Sequence, residues 1–229
     1  MSGTRLRQAS SRTRDTLKIL SVIMERNARA LALVPTNPQT LSVHKEPLSR
    51  DKLFLIHDFL SPAECDEFIA GSEADGYADA PITTARGFVM RPDIRNNTRV
   101  MLDDASLAAR LFERARPMLP AQWHGWTLHG FNERWRYYRY ESGQIFRKHA
   151  DGAFYRNADE QSHFTFLIYL NDGFEGGHTD FWNDEGDLLF SVKPKRGAAL
   201  VFWHPMLHEG AEVLSGRKYV LRTDVMYRF

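Results

Sequence analysis

The sequence of 229 residues predicts a mainly β (α+β) fold, a double-stranded β-helix or jelly roll with flanking helices on its N-terminal side. Three observations predict it. Two helix signals come early, in SPAECDEFIAGSEADGY and DASLAARLFERARPMLP. From Trp126 onward the pattern turns to β, in about eight short runs rich in aromatic and β-branched residues. Glycines stand at the turns, with Gly176 and Gly177 in one and Gly197 and Gly216 in others.

Residues 1–46 read as a basic extension. Arg5, Arg7, Arg12, Arg14, Lys18, Arg26 and Arg29 face only Asp15 and Glu25 in its first part. TLKILSVIMERNARALALV has the pattern of a short amphipathic helix, and PTNPQT, Pro35 to Thr40, reads as a linker. Arginine- and serine-rich, acid-poor leaders include organelle transit peptides, and a disordered or mis-started extension has the same composition. The folded domain is expected over residues 47–229, from about Pro47.

Within it, DKLFLIHDFL opens with a strand, Leu53 to Ile56. Ser61 then serves as N-cap, Pro62 takes the first helical position, and Glu64 sits at capping-box spacing. Leu60 and Phe68 are placed to pack on a sheet, and Cys65 reads as a small buried helix residue rather than a nucleophile. Residues 80–100 are polar, arginine-rich and without period, as expected of a strand and loop beside the mouth of a site. The second helix is capped at Asp104 or Ser106 and stopped by Pro117 and Pro120. GFNERWRYYRY alternates loosely, and HFTFLIYL has the make-up of a buried strand. DGFEGGHTDF sets Gly176 and Gly177 where a tight hairpin needs positive φ. LLFSVKP, GAALVFW and KYVLRTDVMY supply further strands, with Trp135, Trp182 and Trp203 as core or hairpin aromatics.

An apolar content of 43% is enough for one sizeable core. The net charge of +1 gives no electrostatic case for nucleic acid or an acidic membrane as partner, and no apolar run is long enough to span a bilayer. The single cysteine excludes an internal disulfide framework and points to a reducing compartment, the cytoplasm, unless the basic extension targets an organelle.

The chemistry centres on YRYESGQIFRKHADGAF, Tyr138 to Phe154. His149 and Asp151, two positions apart, project from one face of an extended segment. His208, in HPMLHEGAEVLSGRKYVLR, is the candidate third ligand. Two histidines and one carboxylate, with other positions open, form the facial triad of non-haem Fe(II) oxygenases. A zinc hydrolase accepts the same donors. His163, His178 and His204 compete, although Pro205 breaks the helical spacing between His204 and His208.

YESGQIF before HAD, then SHFTFLIYLND, FEGGHTDF, VKPKRGAALVFW and HEGAEVLSGRKYVLR resemble, in order and spacing, the 2-oxoglutarate- and Fe(II)-dependent dioxygenases, in the branch that includes the prolyl 4-hydroxylases. The resemblance covers about residues 50–229. It implies the same jelly roll, with Fe(II) on His149, Asp151 and His208, 2-oxoglutarate and O2 as cosubstrates, and L-ascorbate (vitamin C) as an accessory reductant. It implies Lys218 as partner of the far carboxylate of 2-oxoglutarate, with Arg222 on the same strand face as substitute or assistant. Tyr169 matches a tyrosine that bonds that carboxylate, and Tyr140 one near the iron-binding end. Phe146 stands where relatives often carry tyrosine, which removes one hydroxyl. Arg156, in the loop after the second ligand, and Arg99, in the arginine-rich stretch from Arg86, are candidate substrate contacts.

The expected function is therefore a dioxygenase that hydroxylates a C–H bond of a peptidyl proline or another amino-acid side chain, releasing succinate and CO2. Two alternatives accompany it: a small-molecule hydroxylase of the same superfamily, and a non-catalytic jelly-roll module that keeps a metal. The enzyme is favoured because a structural metal site has no use for a carboxylate-binding cation beside it.

Overall fold

In the computed structural model, residues 42–84 and 87–229 are described, and the chain divides into Met1–Gln39 and Thr40–Phe229. The expected basic extension up to Thr40, its amphipathic helix, its linker and Arg86 lie outside the described residues. The larger unit is mostly β, a jelly roll with two helices on one side, as the sequence predicts.

The principal strands are β1 (His44–Ser49), β2 (Leu53–His57), β3 (Thr98–Asp103), β4 (Trp126–Phe131), β5 (Arg134–Tyr140), β6 (Phe146–His149), β7 (Glu160–Tyr169), β8 (Thr179–Trp182), β9 (Leu188–Val192), β10 (Ala199–Trp203), β11 (His208–Gly210) and β12 (Lys218–Arg228). The larger sheet runs β1-β2-β10-β7-β12-β5-β3, with β4 also paired to β12. The smaller sheet runs β6-β11-β8-β9. The first strand begins at His44, ahead of the expected start at Pro47. His44, Lys45 and Glu46 pair with His57, Ile56 and Leu55, so these three residues belong to the sheet and not to the extension.

Helix α1 (Pro62–Asp75) starts where the capping box put it. The Glu64 N–H donates to Ser61 Oγ at 3.2 Å, and the Ser61 N–H donates to Glu64 Oε2 at 2.8 Å. Helix α2 (Ala105–Ala115) is capped by Asp104, which accepts from the Leu107 N–H at 2.8 Å, and a 3₁₀ turn at Arg116–Met118 ends it at Pro117.

Alternation along the strands divides the apolar residues between two cores. Phe164, Phe166 and Ile168 of β7 face the helices, together with Trp135, Tyr137, Leu221 and Val225. Tyr169 faces the other way, into the space between the sheets, with Tyr138, Tyr140, Phe181, Phe202 and Val220. This second layer is the floor on which the polar site stands.

The expected Gly176–Gly177 hairpin is not one. Both glycines have positive φ, +73° and +62°. However, Glu175–Gly176 pairs with Val213–Ser215, while β8 beyond them pairs with β11. The glycines form a crossing between two sheets, and a Cβ on Gly176 would lie 2.3 Å from the Glu212 carbonyl oxygen. Residues 80–100 hold a small hairpin, Ile82–Thr84 with Gly87–Val89, and then enter β3.

Candidate active site

Strand pairing brings the two histidines together. His149 at the end of β6 is the register partner of His208 at the start of β11, and their ring centroids lie 4.2 Å apart. Asp151 follows two residues later, its N–H donating to the His204 carbonyl at 3.0 Å. One donor atom from each of His149, Asp151 and His208 lies within 4.8 Å of the other two. The Nε2 atoms of His149 and His208 stand 3.9 and 3.8 Å from the Asp151 carboxylate.

The tautomers are set by the backbone. His149 Nδ1 is 2.7 Å from the Arg147 carbonyl and His208 Nδ1 is 2.9 Å from the Met206 carbonyl. Each carbonyl can only accept, so Nδ1 carries the proton and Nε2 keeps its lone pair. Burial, and then His208, hold His149 down to about 3, and burial also lowers His208. Burial pushes the Asp151 carboxyl up, but Arg222 and then the histidines outweigh it and keep the group ionised. Near neutral pH the site therefore offers two neutral imidazole nitrogens and one carboxylate. These residues fit a divalent first-row cation with open positions.

Asp151 is held from several sides. Thr165 Oγ1 donates to its Oδ2, and Arg222 Nη2 stands 3.0 Å from the same oxygen. Arg222 also reaches Asp224 at 3.3 Å. Arg222 was one candidate partner for the cosubstrate's carboxylate; its guanidinium is instead engaged with the triad acid.

Lys218 is placed differently. It is 3% exposed, its Nζ donates to the Gly177 carbonyl at 2.6 Å, and among the described residues no carboxylate lies within 4 Å of it. Burial brings the ammonium down to about 7, with Asp180 acting in the opposite direction. A buried cation with one neutral acceptor fits an incoming carboxylate. Tyr140 and Tyr169 flank it, Nζ standing 5.2 and 5.8 Å from their ring centroids, and the Tyr169 hydroxyl is 2.7 Å from Thr179 Oγ1. One pocket is lined by His149, Asp151, His208, Tyr140, Thr179, Lys218 and Arg222.

Arg156 lies elsewhere. It pairs with Glu133 and Glu160 in a separate groove beside α2, which leaves it no free role at the pocket. Arg99 sits on β3 opposite Tyr138, on the pocket side of the sheet. Among the competing histidines, His204 turns its ring to Ser162 (2.8 Å) and Thr165 (3.1 Å), behind the triad. His163 lies near Gln161, and neither His163 nor His178 joins the cluster. Phe146 stacks on His149, centroids 3.6 Å apart, so the missing hydroxyl is replaced by an apolar lid on the ligand ring.

Sequence reasoning passed over Thr165, which donates to Asp151, and Tyr138, which lines the pocket. A threonine within an apolar strand gave no signal. Tyr138 could have been found from its even spacing to Tyr140.

The profile of the 2OG-Fe(II) oxygenase superfamily matches residues 135–223, a span that contains the triad and Lys218. Prolyl 4-hydroxylase 1 of Arabidopsis thaliana is 28% identical over 189 residues, covering 73% of this chain and 66% of that protein. The chain thus spans just under two thirds of that relative's length. Among solved structures, the viral collagen prolyl hydroxylase of Paramecium Bursaria Chlorella virus-1, in its 2OG complex, superposes with a TM-score of 0.56 at 22% identity, over 79% of this chain and 98% of that one. The prolyl hydroxylase of Trichoplax adhaerens, solved with a hypoxia inducible factor peptide fragment, gives 0.58 at 18% identity, over 79% and 85%. These structural likenesses establish a shared fold. Among the described residues, no helix is long and apolar enough to cross a membrane.

Proposed function

We propose that the chain is a member of the 2OG-Fe(II) oxygenase superfamily and, within it, a 2-oxoglutarate-dependent dioxygenase that hydroxylates a prolyl or other amino-acid side chain of a peptide. The observation that carries this reading is the pairing, in one pocket, of the three-donor cluster with a buried lysine that has no counter-ion among the described residues. The Arabidopsis relative is named as a prolyl 4-hydroxylase, which supports the choice of residue.

His149, Asp151 and His208 would hold Fe(II), and Lys218 would receive the far carboxylate of 2-oxoglutarate. When bound, iron, 2-oxoglutarate and O2 together supply the oxidising power that places an oxygen atom on the target carbon and releases succinate and CO2. The chain's own residues bind, orient and exclude water. The carbonyls of Arg147 and Met206 fix the imidazole tautomers. Thr165 and Arg222 fix Asp151, so that its carboxylate stays ionised and oriented. Phe146, Phe202, Leu167 and Val220 wall the pocket with apolar surface, which strengthens the ion pair expected at Lys218. The Tyr169–Thr179 hydroxyl pair stands beside that lysine and can donate to the same carboxylate.

Mass spectrometry tests this directly. Purified protein with Fe(II), 2-oxoglutarate and proline-containing peptides should give oxygen-labelled hydroxypeptide from ¹⁸O₂, in step with succinate. Succinate formed with no substrate among peptides, amino acids and small acids becoming labelled would overturn the hydroxylase reading.

A further inference from the structure

The inner face of the larger sheet holds more positive charge than its own carboxylates neutralise. Arg99 on β3 lies opposite Tyr138 on β5, and Arg136 on β5 lies opposite Arg222 on β12. Alternate residues of a strand share a face, so Arg99, Arg136, Tyr138 and Arg222 all project to the pocket side. Arg222 is paired with Asp151 and Asp224, and Arg136 with Asp224 at 3.0 Å. Arg95 and Arg99 have no such partner: among the described residues no carboxylate lies within 4 Å of either guanidinium.

Arg95 is the less ordinary of the two. It is 5% exposed and wedged between two pocket-lining rings, its guanidinium carbon 4.5 Å from the Tyr138 centroid and 4.4 Å from that of Phe146. Its Nε donates to Asn97 Oδ1 at 2.7 Å, while its buried Nη2 has no hydrogen-bond partner. A buried donor left unmet is costly, and a charged one more so. The local field agrees with the count of charges. Burial pushes the Tyr138 phenol up, yet Arg95, Arg222 and Arg136 outweigh it and bring the group to about 8. Phe88 of the small hairpin is 69% exposed, with the Arg99 guanidinium carbon 5.6 Å from its ring centroid.

We propose that the substrate carries a carboxylate next to the carbon that is oxidised, and that Arg99 and Arg95 receive it. The word substrate rests on the hydroxylase reading above; the anion site does not. The carboxylate is either an acidic side chain flanking the target residue of a peptide or the α-carboxylate of a free amino acid. Arg95 and Arg99 both lie outside residues 135–223, the span matched by the superfamily profile.

Binding without turnover tests it. The full chain is held anaerobically with Fe(II) and 2-oxoglutarate. Fluorescent proline peptides with Asp or Glu beside the proline are titrated against their Asn and Gln counterparts, and free proline against prolinamide. In one of these arms the acid should bind about tenfold or more tightly than the amide, and the arm that responds identifies the source of the carboxylate. Added salt should narrow the difference. Arg99→Gln should bring acid and amide to within about twofold, and Arg99→Lys should keep part of the preference, since it keeps charge but not the fork. Equal binding of acid and amide in both arms, or a preference that survives Arg99→Gln, overturns the proposal. The two readings fail separately. An acid preference that Arg99→Gln removes, without succinate in air from any compound, keeps the anion site and removes the hydroxylase. Hydroxylated product from neutral and acidic peptides alike, bound equally well, does the reverse.

Discussion

The guanidinium of Arg222 stands 3.0 Å from Oδ2 of Asp151, and the same nitrogen reaches Thr165 Oγ1 at 3.2 Å. Lys218, four residues earlier on the same strand face, gives its ammonium to the Gly177 carbonyl instead. Two cations on one strand therefore do different work. Arg222 is paired with Asp151, and Lys218 meets only a neutral carbonyl, which suits it to the proposed role of receiving an anion.

Kinetics separate them. Lys218→Met leaves the far carboxylate of 2-oxoglutarate desolvated without a partner, at a cost of about 3–5 kcal/mol, so its KM for 2-oxoglutarate should rise by about two to three and a half decades. Arg222→Met should weaken metal retention and change that KM less. A larger KM effect in Arg222→Met would make arginine the anchor.

Lys218 also predicts a pH dependence. Burial lowers its ammonium to about 7 from an ordinary 10.5. Between those values the unfolded chain binds a proton that the folded chain lacks, so this group makes the cosubstrate-free protein more stable as pH rises from about 7 to about 10. Binding the dianion restores the charge, so at pH 8 and above 2-oxoglutarate should bind with uptake of about one proton and a KM that rises with pH. Calorimetric titration in two buffers of different ionisation enthalpy reads the uptake, and Lys218→Met should abolish it. Uptake that persists in that variant would assign the proton elsewhere.

Metal binding should depend on each of the three donors. His149→Ala, Asp151→Ala and His208→Ala should each lose bound iron on gel filtration and lose turnover. Thr165→Val, which removes a hydrogen bond to Asp151, should lower metal affinity by about 10–100-fold while leaving the donors in place. Full iron content and activity in Asp151→Ala would sink the triad assignment.

Gly177 links fold to function. Its φ is +62°, and a Cβ there would lie 2.9 Å from the Phe174 ring and 3.2 Å from Cδ of Lys218. Gly177→Ala should cost about 1–2 kcal/mol from the left-handed backbone alone. It should also raise the KM for 2-oxoglutarate, because the carbonyl that holds Lys218 shifts with the chain. Thermal melts and KM measured together test both; a lowered melting temperature with unchanged KM would detach Gly177 from the cosubstrate.

Much of this was legible in the sequence, for physical reasons. HFTFLIYL had to be a strand buried on both faces, and the capping box at Ser61 and Glu64 fixed the start of α1. His149 and Asp151, at i and i+2, needed only an extended backbone to converge. What was not legible depends on strand order. Nothing local to DGFEGGHTDF says that its two glycines join different sheets. Arg222 was placed on the correct face, but its choice of Asp151 over a free carboxylate follows from β12 lying beside β7, which brings Thr165 and Asp224 into one row. Arg156 sat after the second ligand in sequence, yet Glu133 and Glu160 draw it away. Arg95 lay in an aperiodic stretch, where only the rings of Tyr138 and Phe146 give it a place.

The most direct test of the central claim is an anaerobic optical titration of the Fe(II)-loaded full chain with 2-oxoglutarate. The account predicts a visible charge-transfer absorption that saturates at one 2-oxoglutarate per chain, is absent in His208→Ala, and in Lys218→Met saturates only at far higher 2-oxoglutarate. A native chain that gives no such absorption, or a Lys218→Met variant that titrates like the native chain, would contradict it.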